Sequence, residues 1–163
     1  MIIIVMGLPG TGKTYFAEHL AAHTQARHIS SDKTRSQLQK RGAYTPEDKN
    51  QVYQEMLMQA EQALRSGKDV IMDATYSKKD HRDAIRALGH RLHIPVHFIQ
   101  LTADENTIQE RTSQEREDSE ADFKVYQIIK QSFEPLEVPH LQLNSTQLTI
   151  AEMLSTAQDY LFH

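Results

Sequence analysis

The first apolar block of the chain, Ile2-Ile3-Ile4-Val5-Met6, contains no polar position. A strand with one wet face alternates, so an unbroken and largely β-branched run predicts a strand buried on both faces. Asp69–Met72, ending at Asp73, reads as a second buried strand and Pro95–Leu101 as a third, longer one. Val138–Leu143 gives a further strand, and His28–Ser31 reads as a short strand end. The segments between them carry helical spacing. Lys13–Ala22 puts Phe16, Ala17, Leu20 and Ala21 on one side, and Asp32–Arg41 is predicted to be a helix stopped by Gly42. In the next helix Thr45 can cap, Pro46 suits the first helical position, and Asp48 can close a capping box. Val52, Tyr53, Met56, Leu57, Ala60 and Leu64 then form an apolar face, and Gly67 ends it. Met56, Met58 and Tyr53 read as core, with Tyr53 also able to face a cleft. Ser77–Leu92 is predicted helical with Ile85, Leu88 and Leu92 inward. Asp104–Glu115 and Ser119–Gln131 are predicted helices about a polar joint, with Ser119 and Asp122 as a second capping box. Thr146–Tyr160 reads as the last helix.

Alternating strands and helices predict a parallel sheet covered on both faces. Ligands of such sheets bind outside the carboxyl ends of the strands. Gly7, Asp32, Asp73 and Thr102–Asp104 all follow strands, which predicts where the chemistry lies.

Composition narrows the classes. A length of 163 residues suggests one domain, 1–163, able to bury a core without staples. With 39% hydrophobic and 25% charged residues the chain reads as globular rather than disordered. The absence of cysteine excludes disulfides and thiol chemistry and fits a cytoplasmic protein. A net charge of −4 gives no global attraction to nucleic acid or anionic membrane, and the apolar run 2–6 is too short to span a bilayer.

The strongest motif is Gly7-Leu8-Pro9-Gly10-Thr11-Gly12-Lys13-Thr14, which matches G-x-x-x-x-G-K-[ST] between a buried strand and a helix. Glycines let backbone N–H groups ring an anion. Lys13 places a compact charge on the β- and γ-phosphates, and the Thr14 hydroxyl can ligate Mg²⁺. The following helix turns its positive end to the same phosphates. The loop predicts a nucleoside triphosphate, ATP with Mg²⁺.

Asp73, at the tip of a buried strand, stands where such proteins hold the metal or its water, or else is a strand-end cap. Asp32 is either a base for a substrate hydroxyl or a helix cap, for which Ser30 and Ser31 compete. Asp32 and Arg35, three apart, share one helix face. Arg111 and Arg116 can close over phosphates or belong to a solvated face with Glu110, Glu115 and Glu117. They converge only if the helix breaks, because five residues turn it by about 140°. His19/His23 and His93/His97 are spaced four apart, but no H-E-x-x-H or third ligand points to zinc.

On these residues the chain resembles the small AAA-type ATP-binding kinases of the P-loop superfamily. That group is also found as the C-terminal half of some aminoglycoside-phosphotransferase-like fusion proteins. More distantly the chain is similar to zeta toxins, chloramphenicol phosphotransferase, gluconate kinase and the kinase domain of polynucleotide kinase. The matching pieces are GLPGTGKTYFAEHLA, ISSDKTR, the stretch from VYQEMLMQAEQAL to GKDVIMDATY with the following HRDA, and RTSQEREDSEAD, ending near EPLE. The resemblance implies a three-layer α/β/α P-loop fold with a five-stranded parallel sheet of order 2-3-1-4-5, nucleoside-kinase-like, with a helical lid around 110–122. It implies Asp32 as general base, Arg35 on the substrate, Asp73 and Thr75 near the acceptor with Asp73 and Thr14 on the metal, Arg82 as a substrate residue, and Arg111 and Arg116 in the lid. Asn144-Ser145-Thr146 departs from the family's Asp-Thr-Ser type of segment. The expected activity is transfer of the γ-phosphoryl of ATP·Mg to a hydroxyl of a small molecule. The alternatives are a 5′-hydroxyl of RNA or DNA, for which Lys78, Lys79, Arg82 and Arg86 could form part of a basic groove, a toxin acting on a nucleotide sugar, and a nucleotide-dependent switch. No membrane contact and no obligate protein partner is inferred.

Overall fold

The computed structural model describes residues 1–114 and 122–163. Its elements run β1 (Ile2–Met6), α1 (Lys13–Thr24), β2 (Arg27–Ser30), α2 (Ser31–Gln37), α3 (Pro46–Arg65), β3 (Val70–Asp73), α4 (Lys79–Leu92), β4 (Val96–Thr102), α5 (Glu105–Thr112), α6 (Phe123–Ser132), β5 (Leu141–Asn144) and α7 (Ile150–Phe162). The five strands form one parallel sheet in the order β2-β3-β1-β4-β5. The expected three-layer P-loop fold and strand order are therefore present.

Strand parity divides the interior in two, because successive side chains leave opposite faces. Ile2, Ile4 and Met6 join Val70, Met72 and Phe98 under α3 and α4. Ile3 and Val5 join Ile71, Ile99, Leu101 and Leu143 under α1 and α7. Every residue of β1 is 0% exposed, as its all-apolar sequence requires. Each large apolar side chain so buried contributes about 1.5–3 kcal/mol.

Local signals set most helix ends. Thr45 and Asp48 form the capping box at α3, with Pro46 in its first turn, and Gly67 follows the helix at φ +82°. Several boundaries shift from expectation. α2 stops at Gln37, because the chain turns through left-handed Gln39 well before Gly42. α4 begins at Lys79, after extended Lys78, so Ser77 lies in the loop. β5 begins at Leu141, past Pro139, which has no N–H to give a sheet ladder. α7 begins at Ile150 because Thr149 with Glu152 forms the capping box, leaving 145–148 as a turn. α5 ends at Thr112, and α6 starts at Phe123 with the Asp122 carboxylate capping the Val125 N–H. Ser119, its expected partner, lies outside the described residues. Met58, expected in the core, is 66% exposed, one residue off the inward stripe that holds Met56.

Gly89 is where α4 meets the sheet. A Cβ there would lie 2.3 Å from Val96 Cγ2 and 2.9 Å from the Ile94 carbonyl oxygen. Over-packing of this kind costs about 1–3 kcal/mol. Gly89→Ala is expected to lower the urea midpoint by an amount equivalent to about 2 kcal/mol at unchanged m-value, measured by circular dichroism.

Candidate functional site

The phosphate loop leaves the end of β1 at Gly7. That residue has φ +149°, and a Cβ on it would stand 2.3 Å from the Leu101 carbonyl oxygen of β4, so the approach of the two backbones requires glycine. The Gly7 N–H donates to the Thr75 carbonyl, and the Ala74 N–H to that of Val5, which ties the loop's root to the end of β3. The loop's own shape hangs on the Leu8 carbonyl. It accepts the Thr11 hydroxyl at 2.8 Å, the Thr11 N–H at 3.4 Å and the Lys13 ammonium at 3.1 Å. α1 opens at Gly12 with no side-chain cap and no acid in its first turn, so its positive end faces the loop uncompensated.

Thr14, in that first turn, donates its hydroxyl to Asp73 Oδ2 at 2.8 Å. Asp73 is 2% exposed, and the same oxygen lies 3.1 Å from His28 Nε2. Strand parity explains the trio. Asp73 is two residues beyond Ile71, on the α1 face, and its register partner Ser30 is two beyond His28. A hydroxyl beside a carboxylate is a hard-oxygen donor pair and fits magnesium, which takes few protein ligands and keeps water and phosphate for the rest. Among the described residues no group of three or more histidine, cysteine or acidic side chains is placed to hold a metal.

A cleft of about 1460 Å³ runs from this loop across to α2, α3 and α4. Of the residues singled out in the sequence, Pro9, Gly10, Gly12, Lys13, Thr14, Asp32, Arg35, Asp73, Thr75 and Arg111 line it. Gly7, Leu8 and Thr11 shape the loop behind them. Ser30 is the N-cap of α2, accepting from the Lys33 N–H, so Asp32 is not the cap. Arg35, one turn on, has Nη1 at 3.6 Å from Asp32 Oδ1 and its guanidinium carbon 4.6 Å from the centre of the Tyr44 ring. The expected shared face is thus a contact.

Tyr53 forms the floor beside them. Its hydroxyl accepts the Tyr76 N–H at 3.3 Å, and its ring stands 4.9 Å from that of Tyr76 and 4.1 Å from that of His81. Burial pushes the Tyr53 phenol up to about 12, so it stays protonated at neutral pH. Burial also drives His81 below the usual imidazole range, with Lys49 pushing the same way and Asp80 and Glu134 opposing.

Arg111 is fastened rather than solvated. Its Nη1 donates to the Gly10 carbonyl at 3.1 Å and to Ser145 Oγ at 2.9 Å, while Ser145 Oγ donates to the Thr11 carbonyl at 2.7 Å. Arg116 and most of the expected lid lie outside the described residues. Arg82, expected on the substrate, is not among the residues that line the cleft. It is 3% exposed, and its guanidinium is spent on three carbonyl oxygens, those of Tyr76, Glu134 and Pro135. It ties the chain beyond α6 to the β3–α4 loop. The other members of the suggested basic groove meet acids as well: Lys79 and Arg86 pair with Asp83, and Lys78 lies 4.0 Å from Glu134.

His28, Tyr44, Lys49, Asn50, His81 and Ser145 were not assigned to the site from sequence. Two signals were available. The spacing 46, 49, 50, 53 continues the α3 cap along one helix face. His28 also has the parity that points at Asp73.

The model of the AAA domain family matches residues 2–136. The chain belongs to the AAA domain family. Among its relatives is an uncharacterized protein of Mycobacterium tuberculosis (strain ATCC 25618 / H37Rv), 30% identical over 122 residues. That match takes in 68% of this chain and 24% of the relative, so the chain spans about a quarter of the length of the curated relatives it matches. Two solved structures share the fold. One is an unliganded sugar kinase from Janibacter sp. HTCC2649, with TM-score 0.74 and 22% identity over 98% of this chain and 93% of that one. The other is Chaetomium thermophilum Kti12 in complex with ADP-AlF3, with TM-score 0.76 and 18% identity over all of both chains. Among the described residues no helix is long and apolar enough to cross a membrane.

A histidine held low in the fold takes up a proton on unfolding, so stability falls as pH drops from the ordinary imidazole value of 6.5 through the folded-state value. His81→Asn is expected to flatten that part of the slope, read as Tm against pH over about pH 5–7.

Proposed function

We propose that this AAA-domain chain is one kinase module that transfers the γ-phosphoryl group of ATP to a hydroxyl of a small molecule. The observation that carries the reading is the placing of Asp32. Its carboxylate is not used as the α2 cap, sits beside Arg35, and lines the same cleft as Lys13, Thr14 and Asp73. A module that only held nucleotide would have no use for a carboxylate and a guanidinium on the far wall of its phosphate cleft.

In this reading ATP lies along Gly7–Thr14, with Lys13 leaving the Leu8 carbonyl for the β- and γ-phosphates. Thr14 and Asp73 hold magnesium, which when bound neutralises charge on the phosphate oxygens. Asp32 accepts the proton of the acceptor hydroxyl as its oxygen bonds to the γ-phosphorus. The bond from that phosphorus to the bridging oxygen breaks, and ADP leaves. Arg35 orients Asp32 and grips the acceptor. Arg111, already on the Gly10 carbonyl, keeps the loop in shape beside the transferring group. Thr75, at the end of β3, lines the acceptor side. Most of the rate comes from positioning and charge, because the transition state is loose.

A small acceptor ranks above a 5′-hydroxyl of nucleic acid because Lys79 and Arg86 pair with Asp83 and Arg82 is spent on carbonyls, which leaves Lys78, 4.0 Å from Glu134, as the one member of the suggested basic groove that lines the cleft among the described residues. One observation favours a nucleotide-dependent switch as the second reading. The Gly10–Arg111–Ser145 chain of hydrogen bonds links the phosphate loop to the turn before α7, a route by which nucleotide could be sensed there.

The test is labelled ATP with panels of hydroxylated metabolites and 5′-hydroxyl oligonucleotides. Asp32→Asn is expected to lower kcat by about 10²–10⁴-fold with nucleotide binding retained, as for loss of a general base. Lys13→Ala is expected to abolish transfer. Transfer unchanged in Asp32→Asn would refute the assigned base. Turnover that yields free phosphate with every acceptor would favour the switch.

A further inference from the structure

The acceptor half of the cleft is unequally charged. On the wall made by α2 and α3 stand three hydrogen-bond donors with no acceptor among the described residues. Arg35 is the first. Its side chain is nine-tenths buried, and its Nε is enclosed with no hydrogen-bond partner, although Nη1 faces Asp32. Lys49 is the second. It is half-buried in the first turns of α3, lines the cleft, and has no carboxylate within ion-pair distance, and its charge is felt by His81. Asn50 is the third. Its Oδ1 lies 2.8 Å from His81 Nε2, and because an amide oxygen can only accept, His81 is the donor. That bond fixes the amide and leaves its NH₂ group over. Pro46, Lys49, Asn50 and Tyr53 fall at i, i+3, i+4 and i+7, so one face of α3 presents all of them to the cleft.

The acids of this region do not answer these donors. Asp32 faces Arg35 Nη1. Glu134 caps the Lys79 N–H at 2.5 Å and lies 4.0 Å from Lys78. Asp80 stands in the first turn of α4. A buried guanidinium donor and a half-buried ammonium left without acceptors in a chain of net charge −4 are costly unless an anion completes them.

We infer that the acceptor carries its own negative group, a carboxylate or a phosphate ester, which docks on Arg35, Lys49 and Asn50 along α3 while its hydroxyl meets Asp32. The substrate class is an anionic polyol of metabolite size. The inference rests on the kinase reading for the hydroxyl and stands separately for the anion.

The test uses the whole chain saturated with ADP and Mg²⁺, so that the phosphate loop is filled, and follows binding by titration calorimetry and by amide and side-chain NMR shifts of Lys49 and Asn50. The probes are gluconate, glycerol 3-phosphate, and the neutral sorbitol and glycerol. At least one anionic probe is expected to bind at least about tenfold more tightly than its neutral counterpart, the carboxylate and phosphate arms telling the two sources apart. Lys49→Gln is expected to remove that advantage without weakening the neutral probes, and Lys49→Arg to restore most of it. A melting temperature equal to the parent's shows that Lys49→Gln is folded. Anion binding at Lys49 with no phosphoryl transfer to any acceptor would leave this site standing and sink the kinase reading. Transfer to a neutral polyol, indifferent to Lys49→Gln, would do the reverse. Equal binding of anionic and neutral probes, or tight binding confined to 5′-hydroxyl oligonucleotides, overturns the inference.

Discussion

The hydroxyl of Thr14 meets the carboxylate of Asp73 because β1 and β3 are parallel neighbours with Val5 opposite Asp73. That register is the constraint on which the site depends. It sets the end of one strand, carrying the phosphate loop, beside the end of another, carrying a buried acid. It holds because both strands are wholly enclosed: slipping β3 by one residue would send Asp73 under α3 and Ile71 with it, exchanging the two cores. The close approach of the Gly7 backbone to Leu101, with no room for a Cβ, sets the other side of the loop against β4. A loop held on both sides is organised before any phosphate arrives, so binding orders little that is not already fixed.

The wall of the cleft across from that loop is built differently. Asp32 and Arg35 stand on a short helix, and Lys49, Asn50 and Tyr53 on the first turns of a long one capped at Thr45. The cap fixes where α3 starts, and the start fixes which side chains reach the cleft. His81, held neutral by burial, steadies Asn50 and stacks on Tyr53, whose phenol is itself raised by burial. Neutral, enclosed groups thus support the charged side chains of Asp32, Arg35 and Lys49 beside them.

What was legible in the sequence follows from range. The phosphate loop, the enclosed β1, the α3 capping box and the strand order are written in contiguous residues or in a resemblance that spans them. What was not legible comes from contacts made far along the chain and, for Met58, from the face a helix turns inward. Arg82 looks available until Glu134, 52 residues on, offers its carbonyl. Arg111 can belong to a solvated face until Ser145, 34 residues on, accepts from its guanidinium. Met58 shares composition with Met56 but not its face of the helix. His28 gained meaning only once the sheet placed β2 beside β3.

The two-sided interior has an evolutionary consequence. α1, which follows the phosphate loop, and α7 pack on one face of the sheet, and α3, which lines the cleft, packs on the other. Substitutions on the cleft face of α3 therefore leave the packing behind the phosphate loop untouched. A chain built this way can change part of that wall by drift on a single helix. Chains alike in this loop can for that reason differ on the wall that faces it.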